Sequence, residues 1–103
     1  MLMSLALMMT GVATPAGGQM ACVLYDKTRD KVLLSRPFAA ESGTESARYD
    51  AFLAAVHAEG YLPASSETEG ACTWASSADA ASSAVEAYRN RFASANQLTV
   101  PFP

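Results

Sequence analysis

Met20-Ala21-Cys22-Val23-Leu24-Tyr25-Asp26 and Ala71-Cys72-Thr73-Trp74-Ala75 are the two stretches that decide how this chain folds. Each is a short β-like run in which a cysteine follows an alanine. The sequence holds two cysteines, so a single intramolecular pairing exists. A bridge between them needs Cα atoms within about 7 Å, which makes the two strands near neighbours. Cys72 and Trp74 point to the same face of their strand. A disulfide buried under the helices therefore buries Trp74 with it.

Upstream, Met1 to Met9 is apolar and is followed by small and turn-forming residues, Thr10-Gly11-Val12-Ala13-Thr14-Pro15-Ala16-Gly17-Gly18. An apolar run of this length is too short for a bilayer, which takes roughly 20 residues. It reads as a signal peptide over residues 1–16, with cleavage after Ala16 and a single domain over 17–103. The rival reading places the true start at Met20 in a cytosolic chain. Export gives the cysteines an oxidising compartment, periplasmic or extracellular. A small domain buries a modest fraction of its surface. Closing a loop of about 50 residues stabilises it by about 4 kcal/mol as an upper figure.

The spans beyond the cysteines alternate strand and helix signals. Met20 to Asp26 and Val32 to Phe38 flank a polar connection and predict a hairpin, with Pro37 ending the second arm or lying on an edge. Ser42-Gly43-Thr44-Glu45 fits a helix start, with Ser42 or Thr44 as the cap. Tyr49, Phe52, Leu53 and Val56 make one helical stripe, and Gly60 is a natural stop. Pro63 to Gly70 reads as an exposed polar loop. Ser76-Ser77-Ala78-Asp79 opens a second helix with the stripe Ala81, Ala84, Val85, Tyr88 and Phe92. Asn96 is expected to stop it, and Leu98-Thr99-Val100 to form a last strand. The expectation is an α+β domain in β-β-α-β-α-β order, with a small antiparallel sheet and two helices packed on one face.

The chemistry-bearing residues are few. His57 is the single histidine, so it completes no metal site with a second imidazole. It is expected to pack at the core rim, and a small enzyme using His57 is the least favoured function. Bridged cysteines leave no thiol for a Cys–His pair, and no cofactor is called for by any motif. With a net charge of −3, the chain is not expected to bind nucleic acid. Lys27, Arg29, Lys31 and Arg36 surround the hairpin, where Asp26 and Asp30 interleave with them. Arg89 and Arg91 suit the end of the second helix. Trp74, Tyr25, Tyr61 and Arg36 are the candidate binding residues, on an uncovered sheet face or beside the Pro63–Gly70 loop.

From Tyr49 to Val100 the layout resembles the SPOR (sporulation-related repeat) domain. The similar part is Glu59-Gly60-Tyr61 closing a helix, then a strand, then Ser76-Ser77-Ala78-Asp79-Ala80-Ala81 opening an Ala-rich helix. Trp74-Ala75-Ser76 stands where that family has Gly-Pro-Phe. The resemblance implies a small α+β module that binds peptidoglycan in bacterial envelopes, and no binding residue is carried over from it. The expected function is a non-catalytic envelope binding domain whose partner is a glycan or a protein. The alternative is an inhibitory or accessory protein of an envelope enzyme.

Overall fold

The computed structural model describes residues 18–103. The span 1–16 read as a signal peptide lies outside the described residues. Five strands and two helices follow in order: β1 (Gln19–Asp26), β2 (Lys31–Leu34), β3 (Phe38–Ala39), α1 (Glu45–Ala58), β4 (Thr68–Ala75), α2 (Ala78–Arg91) and β5 (Asn96–Thr99). The α+β class and the two helices stand as expected from the sequence.

β1 is the middle of the sheet. On one edge it pairs with β4 along its full length, antiparallel, with Cys22 opposite Cys72. On the other edge it pairs with β2 through Val23–Asp26 and with β3 through Gln19 and Met20. β3 thus continues the second hairpin arm past a break. There Ser35, Arg36 and Pro37 oppose only Ala21 and Cys22, which makes a bulge. The buried Ser35 holds it, because its N–H donates to the Cys22 carbonyl and its hydroxyl accepts from the Cys22 N–H. β5 pairs with β2 in parallel, giving the order β4-β1-β2-β5. The sheet is therefore mixed rather than antiparallel throughout.

The helices do not share a face. Met20, Cys22, Leu24, Leu33 and Cys72 pack with Phe52 and Val56 of α1. Ala21, Val23, Val32 and Leu34 pack with Ala81 and Val85 of α2 on the opposite side. The cause is topological. β2, β4 and β5 run parallel to one another, so α1 and α2 each sit in a crossover. Such crossovers keep one hand. The first runs from β2 outward to β4 and the second runs back to β5, so the helices fall on opposite faces. The expected uncovered face is absent among the described residues. β1 is accordingly apolar on consecutive residues from Met20 to Leu24, as a strand buried on both sides must be.

Local signals mostly resolve as anticipated. The Ser77 hydroxyl caps α2 by accepting from the Ala80 N–H. Thr44 is the cap residue of α1, but its hydroxyl donates to the Glu41 carbonyl instead. Phe52 and Val56 are buried, whereas Ala84 of the α2 stripe is exposed. Asn96 begins β5 rather than stopping α2, which ends at Arg91. The stretch read as a loop ends earlier, because Thr68-Glu69-Gly70 already belongs to β4. No helix among the described residues is long and apolar enough to cross a membrane.

Cys22 and Cys72 form the disulfide, and their Cα atoms lie 4.0 Å apart. That close approach marks a non-hydrogen-bonded antiparallel pair. Replacing Cys72 by serine is expected to lower stability by about 2–4 kcal/mol in urea unfolding. An unchanged midpoint would assign the β1–β4 pairing entirely to other contacts. Gly70 supplies a second check. A Cβ there would collide with the Val23 carbonyl oxygen, and would lie 2.8 Å from Leu24 Cα and 3.0 Å from the Tyr49 ring. Gly70→Ala should destabilise by about 1–3 kcal/mol, while the exposed neighbour change Ala71→Ser stays close to wild type.

Candidate functional site

The richest constellation of polar and aromatic side chains lies at the hairpin end of the α2 face. Three elements build it. β1 contributes Tyr25, the turn contributes Lys27 and Asp30, and β4 contributes Glu69 directly opposite Tyr25. The C-terminal end of α2 contributes Tyr88, Arg91 and the following Phe92.

The rings are layered. Tyr25 stacks on Phe92 with centroids 3.9 Å apart and planes 13° from parallel. Tyr88 tilts against Phe92 at 5.4 Å. The Arg91 guanidinium lies over both rings, 5.1 Å from the Tyr88 centroid and 5.0 Å from that of Phe92. This is favourable cation–π geometry. The Arg91 side chain remains 62% exposed, so the cation that covers the rings faces solvent.

Glu69 ties the rings to the turn. One carboxylate oxygen faces Lys27 Nζ at 3.4 Å, and the other faces Arg91 at 3.4 Å and accepts from the Tyr88 hydroxyl at 3.2 Å. The Lys27 hydrogen bond is the largest influence on Glu69 and holds its carboxyl below the ordinary value, with Tyr88 acting in the same direction. Tyr88 is pushed up to about 12, first by desolvation and then by the neighbouring Glu69 charge. Tyr25 donates its hydroxyl proton to Asp30 at 2.7 Å, and that bond chiefly raises its own pKa. Both phenols are therefore neutral donors at physiological pH.

The turn that carries Lys27 and Asp30 is itself well anchored. The fully buried Asp26 carboxylate accepts from the Thr28 and Arg29 N–H groups, from Arg29 Nε and from the Ser66 hydroxyl. The Glu67 N–H donates to Thr28 Oγ1, and Lys27 N–H donates to the Glu67 carbonyl. Asp30 adopts a left-handed φ of 54°, a conformation aspartate tolerates better than most residues. The segment expected to be an exposed polar loop is thus strapped to the hairpin.

The four candidate binding residues do not converge. Tyr25 lies in the aromatic stack on the α2 face. Trp74 lies on the α1 face, half-buried against the core, and its indole N–H donates to the Ala40 carbonyl at 3.0 Å. Cys72 and Trp74 share one side of the sheet as expected, but Trp74 is only partly covered where Cys72 is buried. Tyr61 also packs on the α1 side, at the hairpin end, where its carbonyl accepts from Arg29 and Lys31. Arg36 is exposed in the bulge between β2 and β3. His57 Nδ1 lies 3.3 Å from the Leu62 carbonyl oxygen, within hydrogen-bonding distance, at the end of α1. The described residues hold no cluster of three or more His, Cys, Asp or Glu suited to a metal.

Glu69, Tyr88 and Arg91 are the residues sequence reasoning did not bring together. Tyr88 was legible as a stripe residue and Arg91 as a helix-end cation. Their meeting depends on the β1–β4 register and on α2 crossing to the far face. Comparison with protein-family models, curated proteins and solved structures returns no match.

The titration behaviour is checkable. The Glu69 contribution to stability is present above its ordinary value of 4.5 and is lost as pH falls through its depressed folded value. The Tyr88 contribution is present below 10.0 and is lost as pH rises through about 12. In a phenol absorbance titration the latest-ionising tyrosine should disappear in Tyr88→Phe. Persistence of that late step in the variant would contradict the assignment.

Proposed function

We propose that this chain is an exported, non-catalytic binding domain of the cell envelope, periplasmic or secreted, which meets a glycan or protein partner through the Tyr25–Tyr88–Phe92–Arg91 patch. The observation that carries the reading is the half-exposed ring stack capped by a solvent-facing guanidinium. Stacked aromatics present apolar area at low conformational entropy cost, and tyrosine with arginine dominates binding hot spots. The neutral phenols add directional donors beside them. Export accords with the apolar leader read over residues 1–16 and with the disulfide. The resemblance to SPOR domains makes peptidoglycan the first glycan to try.

A protein partner is the second reading, in which the domain is an inhibitory or accessory protein of an envelope enzyme. The arginine–tyrosine composition of the patch favours it.

The test takes the exported chain, its disulfide intact, and sediments it with purified cell-wall sacculi. In parallel a photo-crosslinking residue replaces Arg91 in growing cells, with position 82 on the exposed face of α2 as control. The expected outcome is sedimentation or a single crosslinked protein from position 91 alone. Tyr88→Ala should weaken whichever interaction is found by tenfold or more, about 1.4 kcal/mol. Sacculi that leave the protein in the supernatant, together with no crosslink from position 91, would overturn the proposal.

A further inference from the structure

β5 is a free edge of the sheet, opposite the β4 edge, since among the described residues it pairs with β2 alone. Its backbone directions are fixed. The Asn96 N–H donates to the Asp30 carbonyl at 3.3 Å and the Val100 N–H to the Leu34 carbonyl at 2.7 Å. Even-numbered residues therefore turn their amides toward β2, and Gln97 and Thr99 aim N–H and C=O groups outward. An edge of this kind is a template for another strand. Proteins commonly blunt such edges with charge or with proline inside the strand. This strand has neither, and no charged residue occurs from Phe92 to Pro103. Leu98, the large hydrophobic residue left 41% exposed among the described ones, lies in this strand.

We infer that this edge pairs with β5 of a second copy, antiparallel about a two-fold axis through Leu98. Three observations select that partner. A two-fold axis normal to the sheet keeps the faces of both copies aligned, so opposed residues must match in parity. Leu98 opposite Leu98 satisfies this, and it sets Gln97 against Thr99 of the second copy on both sides. Those are the residues whose amides point outward, so the register closes hydrogen-bonded pairs on each side of a non-hydrogen-bonded leucine pair. The non-hydrogen-bonded position brings side chains closest, which covers the exposed Leu98 of each copy with the other. The neutral run also places no like charges opposite each other, whereas a charged foreign strand gains nothing from it. The contact is isologous and closes, giving a sheet in the order β4-β1-β2-β5-β5-β2-β1-β4.

The test is sedimentation equilibrium of the full chain over a concentration series, with amide hydrogen exchange read at Gln97 and Thr99. The expected result is a monomer–dimer equilibrium, with those two amides gaining protection as concentration rises. Leu98→Lys sets two ammonium groups together at the axis and should weaken the dimer at least tenfold while leaving the far-ultraviolet dichroism unchanged. Gln97→Pro is a second variant, because it removes an N–H that faces away from β2 and spares the intramolecular ladder. A wild-type chain that stays monomeric up to about 1 mM would overturn the inference. So would a dimer whose affinity both variants leave intact.

Discussion

The register between β1 and β4, pinned where Cys22 meets Cys72, is the constraint on which the rest of the molecule depends. Side chains alternate along a strand, so a slip of one residue exchanges the two faces. Most sheets lose one core by such a slip. Here two would be scrambled, because Met20, Cys22 and Leu24 serve the α1 side while Ala21 and Val23 serve the α2 side. The covalent bond locks the one pairing that serves both cores. The same register sets Glu69 opposite Tyr25, and so the bond that closes the fold also assembles the candidate site some residues away.

The second anchor is the Asp26 carboxylate. A buried charge destabilises unless it is fully hydrogen-bonded, and Asp26 is met by two backbone N–H groups, Arg29 and Ser66. The return is geometric. The turn becomes a fixed object, the segment before β4 is held against it, and Lys27 and Asp30 project from it at defined positions. Without that support Lys27 would be an ordinary flexible surface cation. With it, Lys27 and Arg91 share one carboxylate from two different elements.

Most of the elements were legible in the sequence, because their signals are local. The hairpin, the Phe52–Val56 stripe and the Ser77 cap each follow from a few neighbouring residues, and the disulfide follows from there being two cysteines. The expected placement of both helices on one face fails, and the sequence carries the physical reason. Met20-Ala21-Cys22-Val23-Leu24 does not alternate, and a strand apolar on successive residues is one covered on both sides. The strand β4 runs longer than the sequence suggests because Glu69 and Gly70 have poor intrinsic strand propensity. Its strand state is imposed by pairing with Leu24, Tyr25 and Asp26. Trp74 was readable as a partner of the disulfide, since that follows from alternation alone. The grouping of Tyr25, Glu69, Tyr88 and Arg91 was not, because it joins three elements through a crossover whose direction no local pattern encodes.

The candidate site and the β5 edge are mechanically connected. Asp30 accepts the Tyr25 hydroxyl with its side chain and the Asn96 N–H with its carbonyl, so one turn residue holds both the ring stack and the start of β5. Phe92, which stacks on Tyr25, also accepts the Ala95 N–H in the short link leading into that strand. Pairing of two β5 strands would therefore brace the segment from which the patch is built. A two-fold axis normal to the sheet also keeps both α2 faces on one side, so the two patches of a dimer point the same way. A polymer or clustered surface would then be met by two contacts at fixed spacing, and the second engages at the high effective concentration set by the first. For a small domain with one modest patch, that geometry would turn a weak single contact into useful retention on such a surface.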